Sequence, residues 1–133
     1  MGSPAAREGD TISSIADMYI VAVPTFFGPV MVPLPHPFKG ELTEQLSSDV
    51  YIMGKPAATV GSWGHNDPAH VAMGLHFQRE PSNRGSVFMG STTVRINGQF
   101  AARNNDPVLT CNDPVDLPVG TITVAGQVTV TIG

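Results

Sequence analysis

At 133 residues with a formal net charge of −4, 41% hydrophobic residues and 14% charged ones, the chain excludes a disordered tail and offers no basic footprint for nucleic acid. Its 14 glycines and 12 prolines describe a turn-rich β protein rather than a helical one, of a length that suits one domain, 1–133. The single cysteine, Cys111, excludes an internal disulfide framework and leaves assembly in a reducing compartment or a metal ligand.

Residues 1–10 carry Ser3-Pro4-Ala5-Ala6-Arg7-Glu8-Gly9-Asp10, half of a repeat that returns later. They are polar and show no signal peptide. Residues 11–17 read as a polar connection with room for a short helical turn, and 19–23 as a buried strand. The apolar run 18–34 is broken by Pro24, Gly28, Pro29 and Pro33, and is short of the about 20 residues of a membrane helix. Pro24 to Pro37 must be extended or turning. Phe26, Phe27, Val30, Met31 and Val32 are too apolar for a solvated loop; they pack on the rest of the chain, the favoured reading, or meet a partner. Residues 38–47 read as a polar connector and 63–90 as a long loop. That loop has a turn at 81–85 and short strands at Leu75-His76-Phe77 and Val87-Phe88-Met89. Residues 107–119 read as another loop, and 121–124 with 128–132 as a terminal strand pair. No segment has the 3.6-residue periodicity of an amphipathic helix, so the expectation is all-β.

Residues 48–62 and 92–106 are two copies of one pattern at a constant offset of 44 residues. Val50 maps to Val94, Ile52 to Ile96, Gly54 to Gly98, and Ala57-Ala58 to Ala101-Ala102. Each reads as a hairpin: an alternating Val-x-Ile strand, a turn with glycine, then a second strand opening on Ala-Ala. A third copy is divided between the ends. Residues 3–10 match the second half and Val128-Thr129-Val130-Thr131-Ile132-Gly133 the first. The predicted architecture is a closed, pseudo-threefold, β-prism-like cone of three hairpins, the third split between the termini; closure removes the exposed strand edges. Long loops then leave the three copies at one end and converge.

His36, His65, His70 and Cys111 lie in those loops and are the predicted metal ligands, with His76 in reserve. Three imidazoles and a thiolate are a tetrahedral, borderline-soft set that suits Zn²⁺. Four protein ligands leave no open position and the neighbouring carboxylates of Asp67, Asp113 and Asp116 sit in Pro-rich turns, so one structural zinc per chain is expected rather than a catalytic one.

Pro4-Ala5-Ala6-Arg7, Gly54-Lys55-Pro56-Ala57-Ala58 and Phe100-Ala101-Ala102-Arg103 resemble the PAAR family, named for the Pro-Ala-Ala-Arg motif. The likeness extends along the chain through Pro-His-Pro-Phe at 35–38, Pro-Ala-His at 68–70, Pro-Ser-Asn-Arg-Gly at 81–85, Thr-Cys-Asn-Asp-Pro at 110–114 and Asp-Leu-Pro-Val-Gly at 116–120. Only 4–7 spells the motif in full: Thr59 replaces Arg, Phe100 replaces Pro, and Gly9-Asp10 becomes Gly61-Ser62 and Asn105-Asp106. The resemblance implies a small β cone on a trimeric, VgrG-like spike, its apex tied by zinc on His and Cys. Such a tip sharpens the spike of a type VI secretion system or a related contractile injection machine, including phage-tail-like particles, for membrane puncture. One copy would cap each spike, with Tyr51, Arg95 and Thr131 as candidates to face it. It would be made in the cytoplasm and delivered on firing, touching the target membrane transiently, with a possible effector cargo but no fused toxin. The 11–47 insertion resembles a larger subgroup and would shape the cone's flank or base. The competing readings are a zinc-dependent hydrolase and a small β adhesion or binding module; the tip reading takes the protein as no enzyme.

Overall fold

The computed structural model describes residues 2–133, which form fourteen short strands and no helix. In chain order these are β1 (Ser3–Pro4), β2 (Thr11–Ser14), β3 (Met18–Thr25), β4 (Gly28–Pro35), β5 (Phe38–Glu41), β6 (Tyr51–Ile52) and β7 (Lys55–Pro56). There follow β8 (Trp63–His65), β9 (Arg84–Val87), β10 (Arg95–Ile96), β11 (Gln99–Phe100), β12 (Pro107–Thr110), β13 (Leu117–Thr123) and β14 (Thr131–Ile132). Accordingly, no described helix is long and apolar enough to cross a membrane.

Three of the small sheets are the three repeats: β6 pairs with β7, β10 with β11, and β1 with β14, all antiparallel. The first two turn through Met53-Gly54 and Asn97-Gly98, all at positive φ, the geometry of a type I′ hairpin. The repeats then join in a ring. Arg7 bridges Ala57, Thr59 bridges Ala101, and Arg103 bridges Ala5. The N–H of Ala58 donates to Ala6, that of Ala102 to Ala58, and that of Ala6 to Ala102, each at 3.0 Å. All three alanines are fully buried. Their methyl groups are buried where three backbones close on one another. Ile52, Ile96 and Ile132 fill one side of this ring together with Ala5, Ala57 and Ala101.

The turn after each Ala-Ala survives its sequence changes. Asp10 Oδ2 accepts the Arg7 N–H at 2.9 Å, Ser62 Oγ the Thr59 N–H at 3.0 Å, and Asp106 Oδ2 the Arg103 N–H at 2.7 Å. A hydroxyl and a carboxylate thus make the same local bond. The preceding residue is left-handed in all three copies, with φ of 87° at Gly9, 97° at Gly61 and 69° at Asn105.

Beyond the ring stands a six-stranded sheet of order β5-β2-β13-β12-β9-β8. It nearly closes on itself, because Gly40 of β5 bridges Asn66 just past β8 and the Asp67 N–H donates to the Lys39 carbonyl at 2.8 Å. Backbone lies on backbone at this seam: a Cβ on Gly64 would run into the Glu41 carbonyl, and one on Gly40 into that of His65. Ile12, Phe38, Leu42, Val87, Val108 and Ile122 fill the interior, continuous with the alanine ring.

This sheet corrects several expectations. Residues 11–17 are not a connection with a helical turn but contain the barrel strand β2, with Ile12 and Ser14 inward. The predicted connector 38–47 contains β5, and the predicted loops 63–90 and 107–119 supply β8, β9, β12 and part of β13. Pro24 to Pro37 is extended and turning, as expected: β3 and β4 pair over their whole lengths as one hairpin. The segment at Leu75-His76-Phe77 is not one of the fourteen strands but lies along the edge of β3, with a bridge from Phe77 to Val21 and backbone bonds to Ala22.

Candidate metal centre

Three barrel strands leave the three repeats. β2 follows Asp10, β8 follows Ser62 and β12 follows Asp106, and past their far ends stand Asp17, His70 and Cys111. One ligand atom from each of these side chains lies within 4.8 Å of the other two. Asp17 and Cys111 are fully buried and His70 partly so. The convergence expected of the repeat symmetry therefore occurs, with a carboxylate in the first position.

Neighbouring groups aim the donors. The Thr110 hydroxyl donates to Asp17 Oδ1 at 2.7 Å, which leaves Oδ2 buried without a partner. His70 is anchored by its N–H on Asn83 Oδ1 at 2.8 Å and by Asn66 Nδ2, 3.0 Å from Nδ1. Asn66 Oδ1 is already used by the Lys39 N–H, so its amide donates to the ring. His70 Nε2 is buried with no partner. The Tyr19 hydroxyl, also buried and without a conventional partner, faces the Cys111 thiol.

Buried polar atoms are nearly always satisfied, so orphaned atoms gathered at one point ask for an explanation. A cation supplies one. Oxygen, nitrogen and sulfur together suit a borderline metal, whose tetrahedral ligands stand about 3.3–3.8 Å apart for bonds of about 2.0–2.3 Å. The three donors lie within 4.8 Å of one another, so a contraction onto an ion brings them to that spacing. The group can hold a metal ion through Asp17, His70 and Cys111. Loading it on Nε2 moves the ring hydrogen of His70 to Nδ1, so the Asn66 amide has to reorient.

The expected ligand set fares unevenly. His70 and Cys111 are in the group. His36 is beside it, buried, its ring 5.7 Å from that of His70 and held by a backbone bond from its N–H to the Asp17 carbonyl. It is outside the three-donor group; its Nδ1 bonds the Leu34 carbonyl at 2.9 Å and its Nε2 accepts from the Met73 N–H at 3.3 Å. His65 is elsewhere. On β8 the alternation turns Gly64 inward and His65 out to solvent, where its ring packs against Trp63. His76 is exposed beside β3, which takes its main-chain carbonyl through the Ala22 N–H. Sequence reasoning passed over Asp17, although it follows Asp10 by seven residues as His70 follows Ser62 by eight and Cys111 follows Asp106 by five.

Burial sets the electrostatics of the metal-free site. It pushes the Asp17 carboxyl and the Cys111 thiol up, and drives His70 down to about 4, with His36 adding to the last effect. A raised thiol is the reverse of an activated nucleophile. Two solvent-open hollows, one near Ser47, Trp63 and Asn97 and one near Lys39, His65 and Asn66, are lined by none of the three donors.

The depressed His70 value fixes a pH dependence. Unfolded, the ring takes a proton near 6.5; folded, it resists until about 4. The metal-free protein therefore keeps this contribution above pH 6.5 and loses it as pH falls from 6.5 toward 4. Thermal unfolding followed across that window should show a falling midpoint, and His70→Gln should flatten the slope.

Comparison of the chain with protein-family models, with curated proteins and with solved structures gives no match.

Proposed function

We propose that the protein is a PAAR-like spike tip: a structural, non-catalytic cone that caps a trimeric, VgrG-like spike of a contractile injection machine and meets the target membrane first. The observation that carries this reading is the cyclic ring of Ala6, Ala58 and Ala102 with its three hairpins. One chain folded into three like parts presents a threefold face, and a threefold face is what a single subunit needs to seat on the end of a trimer. Tyr51, Arg95 and Thr131 occupy equivalent hairpin positions and are all exposed, opposite Pro56, Phe100 and Pro4. They form the docking face in this reading. Arg95 is stiffened by stacking over Phe100, 4.6 Å from the ring centroid.

At the far end the metal is zinc, held by Asp17, His70 and Cys111. Zinc there supplies a cross-link among the three chain segments that carry its ligands. The burial of the Cys111 thiol and of Asp17 favours a structural ion over the hydrolase reading. An adhesion module would not require the ring.

The test is binding to a VgrG-like trimer from the same genome. Tyr51→Glu with Arg95→Glu should weaken the complex at least about tenfold while the unfolding temperature stays unchanged, since both side chains are exposed. Undiminished binding would remove the hairpin face from the interface.

A further inference from the structure

The β3–β4 hairpin ends in bare aromatic surface. Phe26 is 96% exposed and Phe27 95%, edge to face with ring centroids 5.4 Å apart. Val30 and Met31 behind them are also exposed. No Asp, Glu, Lys or Arg occurs from residue 18 through 38. None occurs from 68 through 78 either, the segment bonded along the outer edge of β3 through Leu75, His76 and Gln78. Val71, Met73 and Leu75 of that segment are exposed as well. The hairpin springs from Asp17 and returns at His36, so this uncharged, apolar surface belongs to the end of the barrel that carries the metal centre.

The backbone of the hairpin discriminates among occupants. Its outward-facing N–H groups on β3 are spoken for: Met18 donates to Asn112 Oδ1, Ile20 to Asp113 Oδ2 and Ala22 to the His76 carbonyl. The next outward position is Pro24, which has none. The register sets Pro24 against Pro29, Ile20 against Pro33 and Met18 against Pro35. The outward positions of β4 are therefore Pro29, Met31, Pro33 and Pro35, and Met31 alone keeps an N–H there. A protein that docks by adding a strand needs a row of donors and acceptors, which this edge denies it. A charged partner finds no counter-charge. An apolar lipid phase asks for the opposite: no charge, and N–H groups that are paired or absent.

We propose that the turn of this hairpin is a lipid-binding loop that seats Phe26 and Phe27 in the interfacial layer of a bilayer. From Ala22, the last residue of β3 bonded to the neighbouring segment, the four residues Val23 to Phe26 carry the tip about 13 Å outward. That reach covers the ~5–10 Å depth at which amphipathic elements lodge at the headgroup–acyl boundary. The unpaired carbonyls of Pro29 and Met31 stay at headgroup level, where water donates to them. Binding is apolar, so it needs no anionic lipid and resists salt. This goes beyond the spike-tip reading and does not require it: failure of the spike complex leaves the loop intact, and the reverse.

Flotation of the purified full chain with phosphatidylcholine vesicles tests it. The wild type should float with the vesicles, equally at low and high salt. Phe26→Ser with Phe27→Ser should lower the partition coefficient at least about tenfold. Both side chains are in solvent, so the variant should keep the wild-type unfolding temperature; the two single substitutions should each give an intermediate loss. A wild type that stays behind, or a double variant that floats as well as wild type, overturns the proposal. So does binding confined to anionic vesicles and abolished by salt. A concentration-dependent dimer that the double substitution abolishes would assign the tip to a second copy of the chain instead.

Discussion

Zinc added to the metal-free protein should raise its unfolding temperature by about 10 °C when the free ion stands at ~100 times its dissociation constant, the equivalent of about 2.7 kcal/mol. Cys111→Ser, His70→Ala and Asp17→Asn should each weaken zinc at least about 100-fold, measured by competition with a chelator. His65→Ala and His76→Ala should leave affinity unchanged, because both side chains are exposed and outside the donor group. Asp17→Asn is the informative variant. Burial already raises the Asp17 carboxyl toward its neutral form, so the amide should cost the metal-free fold little while removing the oxygen charge the ion needs. A purely structural Asp17 would show the opposite pattern, with lost stability and retained zinc. Unchanged zinc affinity in Cys111→Ser would remove this cluster as the metal centre.

The second large effect is expected at the alanine ring. Ala58→Leu or Ala102→Leu places three extra carbons where neighbouring backbones are hydrogen-bonded at 3.0 Å and the methyl groups are fully buried. Overpacking of a tight core costs about 1–3 kcal/mol, and here the ring must also open. The unfolding temperature should fall by about 10 °C or more, and the threefold face should lose its partner with it. Ala69→Leu, on an exposed loop, should change neither. Because the three positions are equivalent, the penalty should be similar at each; a large effect at one and none at the others would contradict a symmetric ring.

The repeats could be read from the sequence because two copies keep the same residues at one offset, and because small residues at the ring leave a repeated Ala-Ala. The barrel could not. β2, β5, β9 and β12 have four residues each and β8 three, too few to display a two-residue period, and their charged or glycine positions look like connector. The seam needs Gly40 and Gly64, which in sequence suggest a turn and in space mark strands in contact. In the β3–β4 hairpin the prolines of β4 concealed a strand, yet they occupy only the outward side of the ladder, where a strand tolerates them. At the metal centre the place of His65 in the loop after the second repeat suggested a ligand, while strand alternation turns that ring away. The spacing after each repeat, which also selects Asp17, carried the better information.

The most direct test of the spike-tip account is the mass of the complex formed with a VgrG-like trimer, measured under native conditions. The account predicts one copy of this chain on three spike chains, because a single chain already supplies all three parts of the matching face. Three copies per trimer, or no complex at all, would contradict it.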